Sequence, residues 1–143
     1  MEKKDEEAVA RQLATVPLFE HLSNRQLRSV AATGMVRSFS AGERVVSKGE
    51  KGVGFYLVLE GRMEVKSDGK PVAALNPGRF FGEMALFEDE PRTADVVSTG
   101  ASRCLVLTRW EFWGAMAREP ETLRVLMSEL VHRLRVTSKP LSD

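Results

Sequence analysis

The sequence predicts a mainly β domain, a sandwich or a barrel, with helices at both ends. Between residues 35 and 108, short segments rich in valine, leucine and phenylalanine alternate with turns that contain glycine. Short strands at regular spacing between such turns are typical of sandwiches and barrels. The flanking stretches instead carry helix start signals and apolar residues three and four positions apart.

A chain of 143 residues is long enough for one domain with a single core and too short for two well-developed ones. We therefore predict a single domain over residues 1–143. Its helical N-terminal part covers residues 1–34, its β-barrel residues 35–108, and its C-terminal helices residues 109–139.

The composition is that of a soluble globular protein, with 43% hydrophobic and 29% charged residues. No apolar run approaches the roughly 18 residues of a membrane span, and the N-terminus has no signal-peptide core. We therefore expect a cytoplasmic protein that does not use a membrane. The net charge is only +1, so no broad basic field indicates nucleic acid as a partner. A small ligand or a protein partner is expected instead.

The N-terminal part carries helix signals in order. Residues 6–15 are rich in helix formers and have a loose apolar face. Ser23 and Gln26 then have the spacing of a capping box, which begins a second helix, and Gly34 is placed to end it.

Five turns with glycine divide the middle of the chain. They lie at residues 41–43, 48–52, 60–61, 67–69 and 76–78. Two more strands are predicted at residues 93–98 and 102–107. The single cysteine, Cys104, falls in the second of these, and we predict that it packs as a small buried residue with no redox role.

A second capping box, Thr108 with Glu111, begins a predicted helix over residues 109–118. This helix carries Trp110, Phe112 and Trp113, and we assign the aromatic pair to the core rather than to function.

Pro120 suits the first turn of a last helix, and Pro140 is predicted to end it. Apolar residues of this helix alternate four and three positions apart, as in a coiled-coil seam. They are Leu123, Met127, Leu130 and Leu134. The seam slightly favours a homodimer through this helix over a lid that closes within one chain.

The arginine in FGEMALFEDEPRTADV, residues 81–96, is a candidate for binding an anionic ligand. Arg92 follows a proline and begins a strand-like alternation, so it lies at the mouth of a strand. Gly82 allows close approach of a backbone, and a helical turn over GEMAL would direct N–H groups at a phosphate. The fork of Arg92 matches two phosphate oxygens, while Glu83 would need a donor such as a sugar hydroxyl. Phosphate plus sugar hydroxyl indicates a nucleotide.

A plainer interpretation of the same arginine stays open. Arg92 could pair with Glu83, Glu88 or Asp89 across a loop, and an arginine beside acids is usually an ordinary ion pair. Composition alone favours that ion pair.

FGEMAL, five residues, then RTA resembles the phosphate-binding cassette of cyclic nucleotide-binding domains, which occur in protein kinase A regulatory subunits, the bacterial catabolite activator protein and cyclic nucleotide-regulated channels. We call residues 81–94 the cassette segment. The likeness extends over residues 16–138, because PLFEHLS and the turns of the barrel also match. It implies a double-stranded β-helix, or jelly-roll, barrel.

The resemblance also implies roles for the residues of the cassette segment. Glu83 would accept the ribose 2′-hydroxyl, and Arg92 would bind the cyclic phosphate. Thr93 would add a hydroxyl near the phosphate. Gly82, Met84 and Ala85 would contact the ligand through the backbone. Phe81 and Ala94 complete the ligand-binding residues that the resemblance implies in this segment.

A second, more local resemblance concerns RLRVTS, residues 133–138. It is similar to the end of the corresponding helix in the catabolite activator protein, which implies that Thr137 and Ser138 contact the base, the serine across a dimer. Arg133 lies where a related bacterial channel domain places an arginine against the base. The alternative is a helix end that is simply rich in small polar residues.

Three functions compete. The first is a sensor that binds cyclic nucleotide and signals by moving its C-terminal helix. The second is a barrel enzyme such as a metal-dependent cupin, which needs clustered ligands, whereas only His21 and His132 exist, both in predicted helices. We therefore expect no enzyme, no metal and no cofactor. The third is a dimerising interaction module with little or no nucleotide binding.

The ligand and the partners follow from the same resemblance. Thr93 speaks mildly for cyclic GMP, while Thr137 and Ser138 resemble adenine contacts, so we predict cyclic AMP as the principal ligand and cyclic GMP as a weaker one. Activator-type regulators continue into a helix-turn-helix half, whereas KPLSD is too short to form one. We expect no DNA-binding domain in this chain, which would be a stand-alone sensor or the severed sensor half of such a regulator.

Overall fold

Helices precede and follow a β-barrel in the computed structural model, which describes the backbone of residues 3–89 and 91–142 and the side chains of residues 5–89 and 91–137. The N-terminal elements are α1 (Lys3–Leu13), a 3-10 helix (Pro17–Phe19) and α2 (Asn24–Thr33). The hydroxyl of Ser23 accepts from the N–H of Gln26 at 3.2 Å, and the Gln26 side chain accepts from the N–H of Ser23 at 2.9 Å. The predicted capping box of α2 is confirmed.

Two N-terminal predictions are corrected. The helix predicted over residues 6–15 begins and ends earlier, because the Thr15 hydroxyl donates to the Gln12 carbonyl at 2.7 Å and turns the chain after Leu13. His21 lies in the turn before α2 rather than in a helix, since the Ser23 cap starts the helix only after it.

Within the described residues, eight strands form two four-stranded antiparallel sheets. They are β1 (Met35–Phe39), β2 (Arg44–Val46), β3 (Gly54–Glu60), β4 (Met63–Ser67), β5 (Lys70–Leu75), β6 (Phe80–Phe81), β7 (Asp95–Ser98) and β8 (Ser102–Thr108). The sheets have the orders β1-β8-β3-β6 and β2-β7-β4-β5. Strands distant in sequence are neighbours in each sheet, which confirms the predicted jelly-roll barrel.

The strands β3 and β8 are apolar on both faces because their sheet separates the barrel interior from the helices. Successive strand residues point to opposite faces. On β3, Phe55 and Leu57 therefore pack with the helices, while Tyr56 packs inside the barrel. Cys104 on β8 is also inside and fully buried, and this burial raises the pKa of its thiol to about 12. Its predicted packing as a buried residue is confirmed.

The C-terminal helices are α3 (Arg109–Met116) and α4 (Pro120–Ser142). The Thr108 hydroxyl accepts from the N–H of Glu111 at 3.2 Å, so the second capping box is confirmed. Phe112 is fully buried, but Trp110 is 65% exposed and Trp113 42% exposed. Of these three aromatic residues only Phe112 is therefore a core residue, because the short helix turns only one face to the barrel.

The helix α4 has one buried and one exposed face. Thr122, Leu126 and Glu129 are buried against the domain. Two members of the predicted seam, Met127 and Leu134, are exposed. Pro140 does not end the helix as predicted, because a proline removes only one N–H and α4 ends two residues later. No helix in the described part of the chain is long and apolar enough to cross a membrane.

Candidate functional site

The cassette segment turns sharply at Gly82, which caps the 3-10 helix Glu83–Leu86 in a left-handed conformation with φ 82° and ψ 16°. A Cβ atom at this position would lie 2.5 Å from Nη1 of Arg92 and 2.5 Å from the carbonyl oxygen of Gly54. Glycine is therefore required both by the backbone conformation and by the close approach of its neighbours. The predicted helical turn over GEMAL is confirmed.

The guanidinium of Arg92 is held beside this turn by neutral groups. Its Nη2 donates to the carbonyl of Gly54 at 2.7 Å, and its Cζ lies 5.9 Å from the ring centre of Tyr56 and 5.8 Å from that of Phe81. Burial lowers the pKa of Arg92 below its ordinary value, while Tyr56 and Glu50 act in the opposite direction. A bound anion would favour the charged guanidinium in the same way as these two residues.

Two of the three carboxylates that could have paired with Arg92, those of Glu83 and Asp89, are engaged elsewhere. Glu83 contacts Arg133 at 3.2 Å, and Asp89 lies 3.7 Å from Nη2 of Arg109. Within residues 5–89 and 91–137, whose side chains the structure describes, no carboxylate lies within 4.0 Å of the Arg92 guanidinium. The ordinary ion pair that composition favoured is not observed in this part of the chain.

Glu83 connects the cassette segment to α4. Its Oε1 accepts from Nη1 of Arg133 at 3.2 Å, and Nε of Arg133 donates to Oε1 of Glu129 at 3.4 Å. The other oxygen, Oε2 of Glu83, is buried and has no hydrogen-bond partner among the described residues, and the same is true of Nη2 of Arg133. Because buried carboxylate oxygens normally accept a hydrogen bond, Glu83 is suited to a hydroxyl donor.

We call Gly82 and the 3-10 helix that follows it, Glu83–Leu86, the Gly82 turn. A cavity of about 210 Å³ adjoins this turn. It is lined by Gly52, Gly82, Met84, Ala85, Glu88, Pro91, Arg92 and Thr93. Five predicted site residues therefore share one cavity. Phe81, Glu83 and Ala94 of the cassette segment do not line it. The Phe81 ring stacks on that of Tyr56 with centres 4.7 Å apart, Glu83 contacts Arg133 of α4, and Ala94 is half-buried before β7.

The residues predicted to contact the base lie on α4. Arg133 is engaged with two carboxylates, as described. The Thr137 hydroxyl donates to the Arg133 carbonyl at 3.0 Å, and the residue is exposed. Ser138 lies within α4, but its side chain is outside the described residues. The base contacts of these three residues stay predictions.

Two site residues were not predicted from the sequence. Arg109 donates to carbonyls of the cassette segment, and Trp113 donates from Nε1 to the Leu86 carbonyl at 2.7 Å. They are four positions apart, so both lie on one face of α3. The only signal was the Thr108 capping box, which fixes where α3 begins and hence which face turns to the cassette segment.

Residues 36–119, more than half of the chain, match the family described as the cyclic nucleotide-binding domain. The chain belongs to this family. Cyclic nucleotide-binding domains are regulatory units rather than catalytic ones. The cassette segment lies within the matched residues.

Individual relatives agree with the family. The chain is 40% identical over 94 residues to a cAMP-dependent protein kinase regulatory subunit of Mycosarcoma maydis, a match that covers 63% of this chain and 18% of the relative. It is 36% identical over 97 residues to a cGMP-dependent protein kinase of Eimeria tenella, covering 68% of this chain and 10% of the kinase. The chain thus spans less than a fifth of either protein.

The fold is shared with solved structures. The N-terminal domain of a transcriptional regulator from Streptomyces coelicolor superimposes with a TM-score of 0.84 at 24% identity, covering 91% of this chain and 94% of that domain. At this identity the likeness shows the fold alone.

Proposed function

We propose that the protein is a sensor that binds a cyclic nucleotide and does not turn it over. The observation that carries the proposal is the half-buried guanidinium of Arg92, which faces the Gly82 turn and has no carboxylate within 4.0 Å among the described residues. A half-buried cation at the N-terminal end of a 3-10 helix is suited to an anion. The cyclic phosphate is the anion that the family would supply.

The other contacts are proposed for residues in and beside the cavity. Glu83 accepts the ribose 2′-hydroxyl through Oε2, the oxygen that is buried without a partner among the described residues. Gly82, Met84 and Ala85 contact the phosphate through the backbone. Thr93 is exposed at the cavity and adds its hydroxyl.

The base lies against the end of α4, and we propose that adenine is preferred to guanine. Thr137 is exposed and can rotate its hydroxyl away from the Arg133 carbonyl, and Ser138 follows it in the helix. Thr93 would retain some binding of cyclic GMP. Because one exocyclic hydrogen bond is worth about 0.5–1.5 kcal/mol, the preference should be around tenfold.

Signalling would use the contact between Glu83 and Arg133. A carboxylate that accepts a ribose hydroxyl has less capacity for the guanidinium on α4, so the ligand changes how α4 is held. Since Arg133 also binds Glu129 of its own helix at 3.4 Å, it has an alternative partner when the Glu83 contact weakens. We propose that this exchange repositions α4.

Equilibrium unfolding in urea tests ligand binding directly. A ligand that binds only the folded state, at a hundred times its dissociation constant, raises the free energy of unfolding by about 2.7 kcal/mol. We expect this increase with cyclic AMP, and about 1.4 kcal/mol with cyclic GMP at the same concentration if it binds tenfold more weakly. Linear AMP serves as the control. No increase with either cyclic nucleotide would favour an interaction module, and a larger increase with cyclic GMP would reverse the base preference.

We also propose that α4 pairs with α4 of a second copy, because its outer face carries the exposed apolar residues Met127, Val131 and Leu134. Light scattering should give a dimer for the wild type and a monomer for Met127→Glu, since a charge in an apolar interface is costly. Met35→Glu is the matched control, because Met35 is 61% exposed, like Met127 at 56%, but lies on β1. A wild-type monomer at all concentrations would contradict the dimer.

A further inference from the structure

The first residue of α3, Arg109, is directed into the cassette segment. Its side chain is only 19% exposed, and Nη1 lies within hydrogen-bond distance of three carbonyl oxygens: those of Gly52 at 3.3 Å, Ala85 at 3.2 Å and Glu88 at 3.1 Å. Its Nη2 lies 3.7 Å from a carboxylate oxygen of Asp89. One guanidinium thus joins the start of α3 to two separate parts of the chain.

Two of these carbonyls belong to the C-terminal part of the 3-10 helix that begins at Gly82 and to the residues that follow it. The carbonyls at the C-terminal end of a short helix carry partial negative charge and need donors. Nη1 of Arg109 donates to the carbonyls of Ala85 and Glu88, and Nε1 of Trp113 donates to that of Leu86 at 2.7 Å. The helix α3 therefore fixes this end of the turn, and by fixing it sets the direction of the backbone at the opposite end, near Gly82.

The third carbonyl belongs to the opposite wall of the cavity. A Cβ atom at Gly52 would lie 3.2 Å from Nε of Arg92 and 3.3 Å from Cβ of Ala85, so the Gly52 backbone packs directly against the side chain of Arg92. Arg109 holds the carbonyl of this same residue at 3.3 Å. It therefore sets the distance between the two walls that enclose the Arg92 side chain.

We infer that Arg109 is a positioning residue for the anionic group of the ligand. It does not line the cavity with Arg92; it acts through the Gly82 turn and the Gly52 backbone. A planar guanidinium can serve several carbonyls and a carboxylate at once, whereas the ammonium of lysine is a compact charge on a flexible stem. The inference rests on the proposed binding of a cyclic nucleotide.

The test uses Arg109→Lys, which keeps the charge beside Asp89, with Arg103→Lys as the matched control. Arg103 is a surface arginine of β8 that pairs with Glu60 at 3.0 Å, outside the cavity. Because two or more hydrogen bonds are lost, calorimetry should show that Arg109→Lys binds cyclic AMP at least about tenfold more weakly. Arg103→Lys should bind as the wild type does.

Arg109→Lys could also lower the measured affinity simply by reducing the fraction of folded protein. The ratio of the affinities for two ligands is therefore measured as well. The two phosphorothioate diastereomers of cyclic AMP place sulfur on one or the other exocyclic position of the phosphate. Both bind the same folded population, so their affinity ratio does not depend on stability. We expect unequal affinities in the wild type and a ratio closer to one in Arg109→Lys. If Arg109→Lys does not fold, Trp113→Phe takes its place, because it keeps a ring but loses the donor to Leu86. Its affinity ratio should also be closer to one than that of the wild type.

The outcomes separate the inference from the proposed function. A wild type that binds no cyclic nucleotide overturns both. A wild type that binds the two diastereomers equally, or variants that keep the wild-type ratio, leave the sensor function intact and reduce Arg109 to a stabilising residue.

Discussion

Replacing Arg92 with alanine is expected to weaken the binding of cyclic AMP at least tenfold. The guanidinium is half-buried, donates to the Gly54 carbonyl at 2.7 Å and has no carboxylate within 4.0 Å among the described residues, and Arg92 lines the cavity. A charge-assisted contact with two phosphate oxygens is worth on the order of 1.5–3 kcal/mol, and 1.4 kcal/mol is a factor of ten. Titration calorimetry at constant salt measures the loss.

Two further variants make the Arg92 result specific. Arg92→Lys keeps the positive charge but not the planar fork, so its affinity should lie between those of the wild type and the alanine variant. Arg103→Ala removes an exposed arginine of β8 and should leave the affinity unchanged. An Arg92→Ala variant with wild-type affinity would show that the phosphate is bound elsewhere.

Replacing Gly82 with alanine is expected to remove measurable binding and to destabilise the fold. A residue with a side chain costs roughly 1–2 kcal/mol at a left-handed φ such as the +82° of Gly82. The added methyl group would also meet the Gly54 carbonyl and the Arg92 guanidinium, each at 2.5 Å. Since both are parts of the cavity wall, relief of the clash must displace the site itself.

Gly69→Ala is a closely matched control for this variant. Gly69 has φ +81°, and a Cβ atom there would have nothing within 4 Å. It should therefore lose only the roughly 1–2 kcal/mol of backbone strain in urea unfolding and keep its affinity in calorimetry. If the two alanine variants lost the same stability and bound equally well, the close packing around Gly82 would have no role in binding.

Local signals in the sequence predicted local structure well. The capping boxes at Ser23 and Thr108 depend on residues three positions apart, and both are formed. Each of the five predicted turns contains a glycine with φ between +81° and +92°, a conformation that favours glycine over any other residue. They are Gly42, Gly49, Gly61, Gly69 and Gly78. The order of strands in the sheets follows from no local signal and was predicted only through the family resemblance.

Long-range contacts explain what the sequence did not predict. The partner of Glu83 is Arg133, fifty positions later, and no pattern in the chain indicates that α4 brings the two together. The roles of Arg109 and Trp113 depend on how α3 packs on the cassette segment. Pro140 shows that a local signal can also mislead. Proline usually ends a helix, but Pro140 lies within α4, two positions before its end.

The burial of Cys104 makes the protein easy to label at one chosen place. It is the only cysteine of the chain, it is fully enclosed in the barrel, and burial raises the pKa of its thiol to about 12. Since the thiolate is the form that reacts with maleimides, the native cysteine should stay unmodified at neutral pH. A cysteine introduced at the exposed position of Leu134 would then carry a single fluorophore on α4. The emission wavelength and intensity of this fluorophore would change when a ligand alters the surroundings of the helix.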